Sequence, residues 1–469
     1  MNSLVQISLY FIAIASAKLV SIFMMPIVTD YLTPAEYGQL NLLVSFIAIA
    51  GLVLSMGIAD TIYRFSAGQG LRGKISCIRT CMFFCLITSS LFTIILFVFS
   101  NYIILFFPVE ISQWQFKFIL INLVASTWLS IPYCYFRLTN KAKHFAVFNI
   151  CQVLLQASGT LLALYLGYGV SGVVLSGAVA SLIICLAVFI SYRRLFVVRA
   201  ALPSANMFKY MLAISVSSIF VYGLNGAENW VIATYLGAEA LAGYFIAVQF
   251  ALALSFSFEP FRMWWFARRF AVLKNKPQMA ADCPVIGIQI VILLSILMAV
   301  LGPKLIQLLL PEDYHDAGIY LPLLCLAFIL RSHSDLFNLG CFVKNNAKTV
   351  PLINAISASF FIIFSIVWVE ELKVWAILIG VNLAYFIRSL LFYKLSQKKV
   401  WLNYARPVLV LNWLSIGLII LSLLSSSQYQ VLYFSLSIGL YLILFAAYSG
   451  VKIFQVLNIN RFLNKMNLA

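Results

Sequence analysis

Nine ionisable side chains fall inside apolar runs of membrane-spanning length: Lys18, Asp60, Arg64, Glu228, Glu259, Arg262, Arg331, Asp335 and Arg388. A charge at membrane depth costs roughly 2.5–3.5 kcal/mol even on lenient insertion scales, so such groups pair with one another or face a wet cavity. Three opposite-sign pairs stand one helical turn apart, Asp60/Arg64, Glu259/Arg262 and Arg331/Asp335, a spacing that allows neutralisation along the helix. Lys18, Arg331 and Arg388 lie nearer mid-membrane. Without carboxylate partners they would make a cationic patch suited to an anion, because arginine and lysine both bind phosphate, arginine with two parallel hydrogen bonds. Glu228, beside Asn225 and Asn229, has the chemistry to hold a coupling proton or cation.

The elements that position these groups are helices. The chain has 469 residues, 63% of them hydrophobic and 10% charged, with a mean hydropathy of +1.01. A soluble protein of this length would be about 25% charged. The runs are continuous rather than alternating, which excludes a barrel of strands. Fourteen spans are expected, at 5–28, 40–63, 77–99, 116–136, 145–166, 170–190, 210–236, 241–266, 284–301, 319–343, 350–369, 374–393, 407–424 and 431–449. Ala15-Ser16-Ala17 resembles a cleavage site, but no basic residue precedes the apolar run, so the first span reads as uncleaved.

Basic residues orient the spans. With the N-terminus cytoplasmic, most of the 31 Lys and Arg fall in loops on that side, among them Arg72, Lys74, Arg137, Lys141, Arg193, Arg194, Arg268, Arg269, Lys398 and Lys399, and both termini are cytoplasmic. The acids Glu312, Asp313, Asp316, Glu370 and Glu371 fall outside. The net charge of +17 is therefore an orientation signal that attracts anionic lipid head groups, not a nucleic-acid footprint. Trp264 and Trp265 read as an interfacial anchor.

A weak repeat runs at an offset of about 204. Tyr31-Leu32 matches Tyr235-Leu236, Phe107-Pro108 matches Leu310-Pro311, and Asn140-Lys-Ala-Lys143 matches Asn345-Asn-Ala-Lys348. An offset of six spans makes the halves parallel, a plan familiar in transporters. The expected fold is an all-α polytopic membrane protein: a six-helix bundle over 1–200, a second, pseudo-two-fold related, over 201–400 around a central cavity, and two further helices and a cytoplasmic tail over 401–469. Asp60 and Glu259 both lie near the cytoplasmic ends of corresponding spans. Crosswise pairing of Asp60/Arg64 with Glu259/Arg262 would close an inner gate while the cavity faces outward.

Cys77, Cys81 and Cys85 share one helix face with no His or carboxylate nearby, so they read as packing residues, and no metal site is expected. His144, His315 and His333 share no motif. No long outside loop and no Ser/His/Asp constellation supports an enzyme, which weighs against a glycan polymerase or ligase. A drug/cation antiporter shares the expected architecture but wants an acidic, aromatic cavity. Within the spans, basic residues outnumber acids by five to four.

Lys18-Leu19 through Pro26, Thr29, Tyr31-Leu32, Pro34, Glu36-Tyr37-Gly38 and Arg64-Phe65 resemble the opening of O-antigen and polysaccharide flippases of the Wzx type. Tyr165 to Gly172 with Ser176, and Leu310-Pro311-x-x-Tyr314-x-x-Ala317 before Leu321, resemble later parts of that pattern. The family belongs to the multidrug/oligosaccharidyl-lipid/polysaccharide exporter superfamily. The resemblance implies translocation of an undecaprenyl-diphosphate-linked oligosaccharide from the cytoplasmic to the periplasmic leaflet of a bacterial inner membrane. It implies Lys18 and Arg64 as first choices for the diphosphate, then Arg331 and Arg388, with Asp60, Glu228, Glu259, Arg262 and Asp335 in gating or ion coupling. No cofactor is implied; a proton or sodium ion would be the coupling species. Membrane lipids, a polysaccharide polymerase and a chain-length regulator are the expected partners.

Overall fold

A computed structural model describes residues 3–66, 69–193, 202–345 and 349–405, and beyond these only 408–410, 413, 417, 439 and 441. The helices are α1 (Ser3–Tyr31), α2 (Pro34–Ser55), α3 (Ile58–Ser66), α4 (Leu71–Val98), α5 (Ser100–Ile104), α6 (Gln113–Leu138), α7 (Ala142–Tyr165), α8 (Gly169–Ser191), α9 (Ala205–Tyr222), α10 (Ala227–Asn275), α11 (Pro277–Leu309), α12 (Leu321–Leu336), α13 (Thr349–Leu372) and α14 (Val374–Lys399). Short 3-10 helices cover Glu312–Tyr320 and Leu339–Asn345. No strand occurs among the described residues. In a lipid core each backbone N–H and C=O must be satisfied within its own segment, which is why long apolar runs become helices.

Twelve stretches among the described residues are long and apolar enough to cross a membrane. They follow the first twelve expected spans, some of which are broken internally. The expected span 210–236 is broken: α9 stops at Tyr222 and α10 starts at Ala227, and the chain then turns within α10 at Gly237, which has φ 86° and ψ 179°. The spans expected at 407–424 and 431–449 lie outside the described residues, apart from isolated positions.

Helix starts are set locally. Thr33 and Glu36 form a capping box ahead of α2, with Pro34 in its first turn. Ser112 and Gln115 do the same for α6. Each box satisfies two N–H groups that the helix leaves orphaned. Large apolar side chains such as Leu162, Leu186, Ile190 and Val367 are exposed, as expected of surfaces solvated by acyl chains rather than water.

The chain divides into two compact units. Unit 1 comprises Met1–Phe245, Leu309–His315 and Ile362–Ile377; unit 2 comprises Ile246–Leu308, Asp316–Phe361 and Leu378–Ala469. These packing lines differ from a cut at residue 200, because α9 and the start of α10 pack with the N-terminal helices.

In unit 1, α8 packs on both α6 and α7, and α1 runs against α7. Its core includes Ile58, Ile62, Ile78, Phe136 and Phe145 together with Cys81, Cys85 and Cys134. The start of α2 and the kink inside α10 touch within this unit. A Cβ on Gly38 would lie 1.9 Å from the Ala238 carbonyl oxygen, so only glycine permits this approach. Tyr314 is buried beside them. Its ring meets Tyr37 edge-on at 5.9 Å, and its hydroxyl donates to the Leu32 carbonyl at 2.8 Å.

Unit 2 has its own core, built on Phe258, Trp265, Ile288, Ile292, Phe337 and Tyr404. Trp265 is fully buried there. The expected interfacial anchor is therefore corrected at Trp265, whose indole packs in the core, while Trp264 is partly buried against the same cluster.

Candidate functional site

Unit 2 assembles a polar cluster from three helices. On α12, Ser334 and Asp335 are adjacent and Arg331 lies one turn earlier; α13 supplies Asn354, and α14 supplies Arg388 and Ser389. The Arg388 guanidinium takes a partner from each neighbouring helix. Nε donates to Asn354 Oδ1 at 3.0 Å, and Nη1 donates to Ser334 Oγ at 2.5 Å. Nη2 lies 3.1 Å from Asp335 Oδ1. The Arg388 charge also stands 5.1 Å from the Phe392 ring centroid. Ser334 Oγ in turn donates to the Arg331 carbonyl at 2.7 Å, so Ser334 relays the position of the α12 backbone to the guanidinium.

The ion pair that Asp335 makes is thus with Arg388 on another helix, not with Arg331 on its own. An inter-helical pair of this kind fixes the spacing of two helices and meets the desolvation cost of each charge with the other. The pair is not sealed: the Arg388 side chain is 14% exposed and that of Asp335 26%.

Beside it, Ser389 Oγ lies 2.6 Å from His333 Nδ1, and the His333 ring stacks on Phe337 with centroids 4.3 Å apart. Arg269 stands on α10 beyond the apolar stretch and is buried to 8% exposure. Its Nη1 donates to Asn338 Oδ1 at 3.3 Å, and its charge lies 4.3 Å from the Phe266 ring centroid. Burial pulls the Arg269 guanidinium below its usual range, and the Asp335 charge opposes that pull.

Glu259 and Arg262 pair within α10. Arg262 Nε donates to Glu259 Oε2 at 2.8 Å and Nη2 to Oε1 at 2.9 Å, a two-pronged grip. Both side chains are substantially exposed, Arg262 at 46% and Glu259 at 30%.

In unit 1 the expected pair Asp60/Arg64 is arranged otherwise. The run 40–63 breaks where Met56 and Gly57 both take positive φ, so the two charges ride on the nine-residue α3. The Arg64 guanidinium lies 4.3 Å above the Tyr210 ring of α9. Asp60 is exposed one turn earlier. Lys18 is exposed on α1 beside the exposed Leu19.

A second buried polar group surrounds the α9–α10 break. Glu228 and Asn229 begin α10 and are each about 9% exposed. Asn229 Nδ2 donates to Ser45 Oγ at 3.3 Å. Ser45 Oγ lies 2.7 Å from the Tyr222 hydroxyl, which accepts from Trp230 Nε1 at 3.2 Å. Ser45, Tyr222 and Trp230 were missed as site residues. The run Gly223-Leu-Asn-Gly226 carried the signal, since glycine and asparagine interrupting a span mark a broken helix.

Among the described residues, no group of three or more His, Cys, Asp or Glu could hold a metal ion.

Residues 27–260 match the family model described as "Polysaccharide biosynthesis protein". No curated protein matches the chain. Among solved structures, the fold is similar to "Lipid II flippase MurJ, inward closed conformation", with TM-score 0.68 and 12% identity over 95% of this chain and 99% of that one. It is also similar to a multidrug resistance MATE family transporter of the MOP superfamily. The inward-facing form gives TM-score 0.62 at 13% identity over 85% of this chain and 98% of that one. The outward-facing form gives TM-score 0.61 at 14% identity over 84% and 94%. At these identities the likeness is one of fold: a multi-pass helical membrane protein built like these transporters.

Proposed function

We propose that the chain is a flippase. It carries an undecaprenyl-diphosphate-linked oligosaccharide, an O-antigen or related surface-polysaccharide repeat unit, from the cytoplasmic to the periplasmic leaflet by alternating access. The observation that carries the reading is Arg388, a guanidinium held between three helices of an apolar bundle, in a chain that matches a polysaccharide biosynthesis family over 27–260. The full-length likeness of fold to a lipid II flippase supports the same class of cargo.

In this reading Lys18, Arg64, Arg331 and Arg388 serve the diphosphate, while the polyprenyl tail stays in lipid. Arginine suits the task because its planar fork matches phosphate oxygens. Glu228, set in the polar group at the α9–α10 break, is the site proposed for a coupling proton or sodium ion. Asp60, Glu259, Arg262 and Asp335 act in gating. The protein works in the bacterial inner membrane with both termini cytoplasmic. It performs no covalent chemistry, and it hands its cargo to a polysaccharide polymerase and chain-length regulator.

A drug/cation antiporter is the second reading. The buried Glu228 beside Asn229 and Tyr222 favours it, because an acidic site can accept a cation.

Deletion of the gene separates the two. The flippase reading expects loss of surface polysaccharide and build-up of lipid-linked repeat units on the cytoplasmic leaflet. The antiporter reading expects drug sensitivity with polysaccharide unchanged.

A further inference from the structure

Three helices of unit 1 line a polar trough that takes no part in the cationic cluster or in the polar group at the α9–α10 break. α6 and α7 both pack on α8. Asn122 stands on α6, Gln156 on α7 and Gly177 on α8, each eight or nine residues from the same end of the three helices. At 1.5 Å per residue that is a depth of about 13 Å, beyond the reach of a short side chain to the membrane surface. Gly177 is buried and forms the floor. A Cβ there would lie 3.2 Å from Asn122 Nδ2 and 3.5 Å from Gln156 Nε2. The two amides therefore converge over a position that has no side chain of its own.

A chain of hydrogen bonds runs into this point. The Tyr133 hydroxyl donates to Gln152 Oε1 at 3.2 Å, and Gln152 Nε2 donates to Ser181 Oγ at 3.2 Å. Ser181 Oγ donates to Asn122 Oδ1 at 2.7 Å, and Ser126 Oγ donates to the same oxygen at 3.1 Å. Each bond polarises the next. The chain ends on an amide whose oxygen is engaged twice and whose Nδ2 donates to nothing among the described residues. Gln156 makes no hydrogen bond among them at either end of its amide, and it is exposed, as Ser126 is. A bare amide in hydrocarbon is costly, and an apolar side chain would pack the bundle as well. The trough therefore requires a polar occupant.

The occupant is defined by what the trough leaves unmatched. Asn122 Nδ2 and Gln156 Nε2 carry two N–H donors each, and Gln156 Oε1 is an acceptor. Asn122, Ser126, Gln152, Gln156 and Ser181 are all uncharged. A phosphate offers acceptors alone and would leave Gln156 Oε1 without a donor. A cation would leave the N–H groups without an acceptor. A sugar hydroxyl donates and accepts, so neighbouring hydroxyls of one ring match both amides with no charge to neutralise. All of these residues lie within 27–260, the stretch that matches the polysaccharide biosynthesis family. We propose that this trough is a carbohydrate site, in which Asn122 and Gln156 hold the hydroxyls of an uncharged sugar of the cargo above Gly177. That the sugar belongs to a lipid-linked cargo rests on the flippase reading; the match of amide to hydroxyl rests on the trough itself.

The test uses the full chain in phosphatidylcholine nanodiscs. One probe is the oligosaccharide released by mild acid from the surface polysaccharide of the parent strain, added to the water. The other is undecaprenyl diphosphate without sugar, doped into the bilayer. Binding of each is measured for wild type, Gln156→Met and Gly177→Ala. Methionine keeps the length of the side chain and removes the amide. Alanine removes no polar group but crowds both amides from the floor. Gln156→Met is expected to bind the oligosaccharide about tenfold more weakly than wild type, the loss of one or two hydrogen bonds, and Gly177→Ala to shift the same way. Both should bind the sugar-free lipid as wild type does. The melting temperature of Gln156→Met should not fall, because its amide holds nothing within the protein.

Wild type that does not bind the oligosaccharide, or Gln156→Met that binds it equally well, overturns the proposal. Gln156→Leu is the second amide-free variant should Gln156→Met fail to reconstitute. Lipid-linked intermediate accumulating on gene deletion, with oligosaccharide binding untouched by Gln156→Met, overturns the trough alone. The expected loss in Gln156→Met, with no lipid-linked intermediate accumulating on gene deletion, overturns the flippase reading alone.

Discussion

The Arg64 guanidinium lies 4.3 Å above the ring of Tyr210, linking α3 to α9. The aromatic face, rather than Asp60 one turn away on the same helix, receives the charge. A cation over an aromatic ring is worth about 0.5–2 kcal/mol, and the ring leaves the edge of the guanidinium open to an anion. Tyr210→Leu should therefore lower transport by roughly 2- to 30-fold through loss of Arg64 placement. Tyr210→Phe should stay near wild type, and Arg64→Ala should abolish transport with insertion unchanged. Complementation of surface polysaccharide in a deletion strain, with membrane abundance as control, checks all three.

The contact between Gly38 and Ala238 predicts a sharp contrast. Gly38→Ala forces backbone apart in unit 1 and should cost at least about 1–3 kcal/mol, the range for overpacking. Gly51→Ala, inside α2, meets only the Leu123 side chain at an ordinary 3.7 Å and should be silent or slightly stabilising. Thermal unfolding of the two variants in the same detergent reads the difference.

Tyr222→Phe removes the hydroxyl that accepts from Trp230 and lies beside Ser45. Partners left unsatisfied inside the membrane should destabilise unit 1 by about 1–3 kcal/mol. The fall in melting temperature should be smaller in Tyr222→Phe/Ser45→Ala than the sum of the single effects, because both changes break one network.

How far residues alone disclosed this arrangement depended on the range of the forces involved. The spans were legible because a lipid core forces each apolar run to satisfy its own backbone, and the first twelve appear near their expected places. The break at Met56-Gly57 was not, since Met56 takes a left-handed conformation that its residue type disfavours. The α9 break hid behind apolar neighbours that kept the window greasy. Spacing reveals partners three or four residues apart, and it found Glu259 and Arg262. It could not pair Asp335 with Arg388, which stands two helices further along, and it offered Arg331 in its place. Arg269 was read as a loop cation because it follows an apolar run; the helix continues to Asn275 and folds it into the unit 2 core.

The grip of Arg262 on Glu259 predicts the effect of exchanging them. Glu259→Arg/Arg262→Glu keeps an opposite-sign pair at the same spacing and should fold and insert like wild type, because an exposed pair contributes at most about 1 kcal/mol. Transport is the informative readout. A crosswise gate requires the exchange to impair transport and requires Asp60→Arg/Arg64→Asp to restore part of it. Unimpaired transport in the first variant removes the gate.

The central claim is movement of a diphosphate-linked glycan, and proteoliposomes test it most directly. The full chain is reconstituted with a fluorescent undecaprenyl-diphosphate-linked oligosaccharide, and the fraction reached by an impermeant glycan-binding lectin is followed over time. The account predicts that wild type exchanges the glycan between leaflets, that Arg388→Gln does not, and that empty liposomes do not. Exchange no faster with wild-type protein than in empty liposomes would contradict it.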